Sequence, residues 1–193
     1  AGLVLSLAAV KFHLWLLVPV VFLVQRRRRA LAGLAAGAGV LTLASLLLVG
    51  PAGLLQYADI LLRNPQPNTY FAERTTNLWI LAPSPWLWIP LLAAMAAALW
   101  VAFRRLPLPE ALATAWLASL VLTPHIHLSD YLLALPAFLL LARLGKFCFF
   151  ASLPALFPIT PVLMQWSNRF LLVTTVAALL CLFGAAWRRR APS

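Results

Sequence analysis

The chain has 193 residues, of which 64% are hydrophobic and only 10% are charged. About a quarter of the residues are charged in a typical soluble domain, so this composition excludes an ordinary soluble protein and predicts an integral membrane protein. A net charge of +11 would suggest a nucleic-acid partner in a soluble chain. Here most basic residues form short clusters between apolar runs, which is typical of membrane proteins and indicates no nucleic-acid partner.

Seven apolar runs can be traced along the chain. They occupy residues 3–24, 30–49, 86–103, 109–124, 128–142, 147–164 and 170–187. A full membrane span needs roughly 20 residues, although about 17 can suffice. The fifth run is short and the sixth contains three prolines, so hydropathy alone leaves open whether residues 128–164 form one span or two.

The basic clusters decide between these two counts. They comprise residues 26–29, residues 104–105, Arg143 with Lys146, and residues 188–190. Seven spans place all four clusters, with 11 of the 15 basic residues, on the cytoplasmic side, whereas six spans place the last cluster outside. The sequence therefore predicts an all-α, multi-pass bundle of about seven transmembrane helices, with its N-terminus outside and its C-terminus cytoplasmic. We expect residues 1–193 to form a single transmembrane domain in a bacterial plasma membrane.

The longest segment between apolar runs, residues 50–85, is predicted to be an extracytoplasmic loop. Loops of this length are usually functional or disordered. Leu54, Ala58, Leu61 and Leu62 share one helical face, so we expect a short interfacial helix within this loop.

The two cysteines, Cys148 and Cys181, lie in apolar runs without the spacing of metal ligands. We interpret both as small hydrophobic residues and expect neither a disulfide nor a metal site. The chain also lacks a glycine-rich phosphate loop in a strand–turn–helix context. The sequence therefore predicts no cofactor.

Lys11 is unusual because it lies inside the first apolar run. A lysine at the centre of a span costs about 2.5–3.5 kcal/mol on insertion scales. In one interpretation the helix begins near Phe12 and the ammonium group extends to the interface. In the other, Lys11 faces an internal cavity and binds an anion such as a lipid phosphate.

The segment Thr123-Pro-His-Ile-His-Leu-Ser-Asp130 concentrates polar groups between two apolar runs. His125, His127 and Asp130 could bind Zn²⁺, although no further cluster of metal ligands accompanies them. They could also form a structural turn in which Asp130 caps the next helix. The pattern favours a third interpretation, hydrogen bonding to a phosphorylated or hydroxylated substrate, and we expect no metal.

Four segments, in this order, resemble glycosyltransferase family 87. Lys11-Phe-His-Leu-Trp-Leu-Leu-Val-Pro is similar to the Lys-Pro-(His/Gln) segment of the family and its leucine-rich helix. The arginines at 26–29 and the Ala- and Gly-rich stretch after them resemble the next helix, and Thr76-Asn-Leu-Trp-Ile-Leu resembles the end of the outer loop. Leu122-Thr-Pro-His-Ile-His-Leu-Ser-Asp is similar to the Ser-Pro-His-x-His-x-Tyr-Asp stretch.

This resemblance implies a GT-C-like membrane enzyme that takes a sugar from a polyprenyl-phosphate donor. The sugar is expected to be mannose, with arabinofuranose as a near variant, and the acceptor a lipid or glycan on the extracytoplasmic face. Lys11 and either His125 or His127 would bind the leaving phosphate, with Arg74 a further candidate for the site. Asp130 would orient a histidine by accepting its ring N–H.

Members of this family are considerably longer and carry an acidic catalytic base in their first outer loop. We therefore expect this chain to be the C-terminal portion of such an enzyme, with its catalytic base upstream. Two other classes compete with this interpretation. A lipid or solute transporter could use the same lysine and histidines, although the sequence shows no convincing internal repeat. A membrane subunit without catalytic activity is the third hypothesis.

Overall fold

The computed structural model describes residues 15–63, 85–123, 134–143, 148–150 and 169–189. None of these residues lies in a β-strand, which confirms the all-helical prediction. The helices of seven residues or more are α1 (Val18–Val24), α2 (Arg28–Arg63), α3 (Pro85–Arg105), α4 (Leu108–Leu122), α5 (Leu135–Ala142) and α6 (Arg169–Arg188).

Two of these helices are long and apolar enough to cross a membrane. The qualifying stretches are Arg28–Asp59 in α2 and Trp86–Arg105 in α3, while α4 and most of α6 are shorter apolar helices. These elements match the second, third, fourth and last apolar runs of the sequence. The predicted number of seven spans stays a prediction.

A kink at Gly50 divides α2 into two parts. Gly50 has a φ of 71° and a ψ of 174°, a conformation that glycine adopts without steric cost because it lacks a Cβ. The next residue, Pro51, has no N–H to donate to the preceding turn. The second predicted span therefore ends where the helix bends. Residues 51–63 continue as helix, which confirms a helix at the start of the predicted outer loop, and residues 64–84 lie outside the described residues.

The centre of the bundle is α4, which packs against α1, α3, α5 and α6. Nine of its fifteen residues are buried, and four of those nine are alanines. Small side chains let neighbouring helices approach closely, as is common in helix packing within membranes. Leu117 and Leu120 fill the remaining space and are fully buried.

Large apolar side chains cover the outer surface of α2 and α3. On α2 the side chains of Leu47 and Leu48 are 79% and 85% exposed, and on α3 Trp86 is 81% exposed. Apolar patches of this extent are rare on soluble monomers. This surface is instead suited to contact with lipid or with another apolar partner.

The cysteines behave as small hydrophobic residues. Cys148 and Cys181 are both buried and both free. Their side chains are hydrogen-bonded to each other, a contact that the sequence did not predict.

The turn between α1 and α2 is joined to the turn between α3 and α4. The Gln25 amide nitrogen donates hydrogen bonds to the carbonyl oxygens of Phe103, at 3.1 Å, and Leu106, at 3.0 Å. These carbonyls lie at and just beyond the C-terminal end of α3, where the helix itself supplies no N–H partner. Gln25 therefore caps α3 from a neighbouring turn.

Two further contacts bring the end of α6 to the same place. The Arg105 guanidinium lies over the Trp187 ring, 5.7 Å from its centroid, and donates to the Trp187 carbonyl oxygen at 3.5 Å. Arg189 forms a two-point ion pair with Glu110, with N···O distances of 2.6 and 3.3 Å. These contacts place three of the predicted basic clusters at one end of the bundle, which we call the basic end. The position of the Arg143 and Lys146 cluster stays a prediction.

The basic end defines the direction of most helices. α1, α3 and α6 run toward it, because their C-terminal residues make the contacts just described, and α2 and α4 run away from it. α5 packs against α4 and α6.

The Gln25 cap gives a first prediction. Gln25→Met keeps the length of the side chain but removes both hydrogen bonds, so we expect it to lower the free energy of unfolding by about 1–2 kcal/mol. Thermal unfolding of the purified protein in detergent measures this change. Gln56→Met, the same substitution at an exposed position on α2, serves as the control and is expected to have little effect. Equal melting temperatures for the two variants would contradict the capping role.

Candidate functional site

All five residues predicted to form the site lie outside the described residues. They are Lys11, Arg74, His125, His127 and Asp130. Their assignment to a donor-phosphate site therefore stays a prediction. The structure does describe the helices from which three of their segments extend, and these helices limit where a site can form.

The segment with His125 follows directly from the C-terminal end of α4. Thr123 is the last described residue before it, and α4 runs away from the basic end. The chain therefore enters the segment 124–133 on the side of the bundle opposite the arginines. This is the side on which the sequence analysis placed the chemistry.

The segment with Lys11 precedes a tryptophan pair at the centre of the bundle. The ring centroids of Trp15 and Trp116 are 5.0 Å apart, with an angle of 46° between the ring planes. Trp15 is the first described residue of the chain, and Trp116 lies half-way along α4. The residue three positions before α1 is thus packed against α4, the helix that precedes the histidine segment.

Trp116 has a polar atom that the described residues do not satisfy. Its indole nitrogen is buried and has no hydrogen-bond acceptor among them. A buried donor without a partner is costly, and such groups are found where strain, water or ligands complete the structure. This residue could not be predicted from the sequence, since a tryptophan in an apolar run resembles any other core residue.

The hydroxyl groups of α4 are already satisfied. Thr114, Ser119 and Thr123 are buried, and each donates to the carbonyl oxygen four residues earlier, at 2.7, 2.8 and 2.7 Å. These side chains therefore support the helix and leave no free hydroxyl in its interior.

An apolar groove of about 430 Å³ runs between α1, α3 and the end of α4. It is lined by Leu17, Val20, Leu92, Met95, Ala96, Leu99, Trp100, Phe103 and Leu122. None of these side chains carries a charge, so the groove can hold a hydrocarbon chain but offers no acid–base chemistry. This groove was not predicted from the sequence. The alanine-rich stretch at 93–98 is a signal that could have suggested it, because small side chains leave space on a helix face.

No group of three metal-ligating side chains occurs among the residues that the structure describes. The histidine segment is not among them, so the prediction that it binds no metal remains untested.

Comparison with known protein families indicates the class of reaction. The model of glycosyltransferase family 87 matches residues 1–136, which is more than two thirds of the chain. The chain belongs to this family. No curated protein and no solved structure matches the chain significantly.

The family match covers the parts of this glycosyltransferase that the geometry singles out. It includes α1 to α4 and the apolar groove between them. It also includes all five predicted site residues, from Lys11 to Asp130. The resemblance inferred from the sequence is thereby confirmed, and sugar transfer is the activity class of the chain.

Proposed function

We propose that this family 87 glycosyltransferase moves mannose from a polyprenyl-phosphate donor to a lipid or glycan acceptor on the extracytoplasmic face, as a step in building the cell envelope. The family match over residues 1–136 carries this proposal, because it supplies the reaction class and spans every predicted site residue. The donor, the sugar and the acceptor are proposed from the resemblance, and the apolar groove supports a lipid-linked donor.

The proposed placement is a multi-pass bundle of seven spans in the plasma membrane, with the basic end in the cytoplasm. Arginine-rich connections favour the cytoplasmic side of a membrane. α4 runs away from the basic end and α6 returns to it, so the chain from 124 to 168 begins and ends on the opposite side. An even number of spans in this stretch satisfies that condition and a single span does not, which supports the seven-span arrangement over the six-span one.

In this proposal the groove holds the lipid tail of the donor. Its lining is entirely apolar, and it lies against the C-terminal end of α4 through Leu122, next to the segment with His125. A prenyl tail in the groove would place its phosphate near that segment. The exposed apolar surface of α3 beside the groove would let such a tail enter from the bilayer.

The proposed chemistry is a single displacement at the anomeric carbon. The acceptor oxygen forms a bond to this carbon while the bond from the carbon to the donor phosphate oxygen breaks, and polyprenyl phosphate leaves with the electron pair. A general base takes the proton of the acceptor hydroxyl, and the resemblance assigns this role to an acid upstream of the segments described here. The negative charge that develops on the phosphate is stabilised by Lys11 and by His125 or His127, with Arg74 as a further cation. Asp130 orients one histidine.

Family membership favours the enzyme over the two rival classes. A transporter or a non-catalytic subunit would account for the apolar surface and the groove, but neither accounts for a match to a glycosyltransferase family over most of the chain. Arabinofuranosyl transfer belongs to the same reaction class and is distinguished by the donor test below.

The membrane placement predicts the side from which introduced cysteines react. In a background with Cys148 and Cys181 replaced by alanine, Arg29→Cys and Arg188→Cys should react with a membrane-impermeant maleimide only from the cytoplasmic side, because both belong to the basic end. Asn68→Cys, in the predicted outer loop, should react only from outside. Labelling of intact cells and of inverted vesicles measures the difference. Labelling of Arg29→Cys and Arg188→Cys from opposite sides would contradict the seven-span arrangement.

The phosphate-binding role predicts a loss of catalysis when the charge of Lys11 is removed. Lys11→Gln in the full-length protein should lower kcat for transfer from polyprenyl-phosphate mannose about 100-fold, since one stabilising donor contributes on the order of 100-fold. The chain has only two lysines, so Lys146→Gln, the same change at the predicted cytoplasmic side, is a matched control that should keep activity. His127→Ala should also abolish most transfer.

The measurement is the initial rate of transfer in membranes at matched protein abundance, with mannosyl and arabinofuranosyl donors assayed in parallel. Transfer from the arabinosyl donor alone would change the proposed sugar and keep the mechanism. No transfer from either donor by the unmodified full-length protein would overturn the proposed function and direct the next test to lipid transport.

The groove predicts that donor recognition depends on the length of the lipid tail. Ala96→Trp fills part of the groove, so it should raise KM roughly ten-fold for a long-chain donor, because each methylene excluded costs about 0.8 kcal/mol. A donor whose tail is too short to reach Ala96 should be unaffected. Ala97→Trp adds the same side chain at the adjacent exposed alanine, outside the groove lining, and should leave both KM values unchanged. Equal effects of the two variants would show that the groove does not hold the tail.

A further inference from the structure

A second pocket lies at the basic end, on the turn between α1 and α2. It has a volume of about 420 Å³ and is lined by Phe22, Leu23, Arg26, Arg28 and Leu31. Three of these side chains are apolar and two carry a positive charge. We call it the turn pocket. It contains none of the residues of the proposed transfer site.

The backbone of the turn holds Arg26 in an unusual conformation. Its φ is 56°, the only positive φ of a non-glycine residue among the described residues. Hydrogen bonds within the turn fix this geometry: the Arg27 N–H donates to the Phe22 carbonyl oxygen at 2.8 Å and the Arg28 N–H to the Arg26 carbonyl oxygen at 3.0 Å. Glycine is the usual residue for such a position, so an arginine here keeps a guanidinium in the pocket at the cost of backbone strain.

The charge of the turn pocket is not neutralised by the described protein residues. The structure describes two of the four acids, Asp59 and Glu110. Glu110 is paired with Arg189, and Asp59 lies thirty-one residues beyond Arg28 along α2. Neither carboxylate is therefore available to Arg26 or Arg28.

The start of α2 adds to this positive potential. α2 has no acidic residue in its first turn, which instead begins with two arginines. The N-terminal end of a helix carries a partial positive charge, so cations there are unfavourable unless an anion is bound. An anion placed between the Arg26 and Arg28 side chains would stabilise both the two guanidinium groups and the N-terminal end of α2.

We propose that the turn pocket binds an anionic phospholipid of the cytoplasmic leaflet. The phosphate accepts hydrogen bonds from the Arg26 and Arg28 guanidinium groups, and an acyl chain lies along Phe22, Leu23 and Leu31. The apolar half of the pocket identifies the ligand as a lipid and distinguishes it from free phosphate, and basic pockets between helices at the cytoplasmic side are known to bind such headgroups. The inference depends on the proposed membrane placement and is independent of the sugar-transfer chemistry.

A matched pair of double variants tests this proposal. Arg26→Gln with Arg28→Gln removes both charges of the turn pocket, whereas Arg27→Gln with Arg29→Gln removes two charges from the same cluster outside the pocket lining. The full-length protein is purified with phosphatidylglycerol, and the lipid that stays bound is counted by native mass spectrometry. We expect retention to fall about ten-fold in the first variant, because charge-assisted hydrogen bonds are lost, and to stay near the unmodified level in the second.

A third variant and tests with other ligands complete the experiment. Arg26→Gly suits the positive φ and preserves the turn, so it should lower lipid retention while leaving the melting temperature unchanged or higher. Phosphatidylcholine should not be retained, and inorganic phosphate should not displace phosphatidylglycerol. Equal losses in both double variants would mean diffuse attraction by the whole cluster and would overturn the proposal. No loss in either variant, or equal retention of the neutral lipid, would overturn it as well. Mannosyl transfer assayed on the same samples separates this failure from a failure of the proposed function.

Discussion

The contact on which the arrangement of this bundle depends is the pair of hydrogen bonds from Gln25 to the end of α3. The last carbonyls of a helix have no partner within the helix, and leaving such a group unsatisfied in a partly buried position is costly. Gln25 satisfies the carbonyls of Phe103 and Leu106 from the turn between α1 and α2. Two helix connections are thereby fixed at one level of the bundle. The stacking of Arg105 on Trp187 and the ion pair of Glu110 with Arg189 add the end of α6 to this layer.

This layer gathers eight arginines, at positions 26–29, 104–105 and 188–189, with a single acid among the described residues beside them. Like charges so close together oppose folding, and salt at physiological ionic strength largely screens only charges more than about 8 Å apart. Lipid phosphates at a membrane surface would offer the negative charge that the described residues lack. In the proposed placement, the charge that orients the chain in the membrane is also a charge that lipid phosphates would neutralise, and the geometry of the turn pocket is suited to this.

Much of the helical frame could be predicted from the sequence, because apolar runs and their boundaries determine where helices form in lipid. The bend at Gly50 falls where the second run ends, and the arginine clusters fall at helix ends as the charge pattern requires. The extension of α2 to Arg63 was predicted only as a short separate helix. The role of Gln25 could not be predicted, since its partners are 78 and 81 residues away and a glutamine beside arginines looks like an ordinary loop residue.

The apolar groove could not be predicted from the sequence for a related reason. Apolar side chains that line a groove and those that fill a core have the same hydropathy, and only the relative rotation of α1, α3 and α4 separates them. The family, by contrast, was found through short segments with polar residues, among them Lys11 and the pair His125 and His127, which stand out against leucine and alanine. Their spatial arrangement lies outside the described residues, so their roles still depend on the resemblance.

The groove and the histidine segment are nevertheless linked through α4. From Leu92 to Phe103 the groove follows α3 for eleven residues, about 16 Å at the rise of an α-helix. Its end away from the arginines includes Leu122, and the chain continues from there into the segment with His125. A lipid tail held in this groove would have little freedom in where its phosphate lies. In the proposed reaction the protein therefore positions the donor largely through apolar contacts along α3, and the few polar residues beyond α4 need only recognise the charge that develops at the end of that tail.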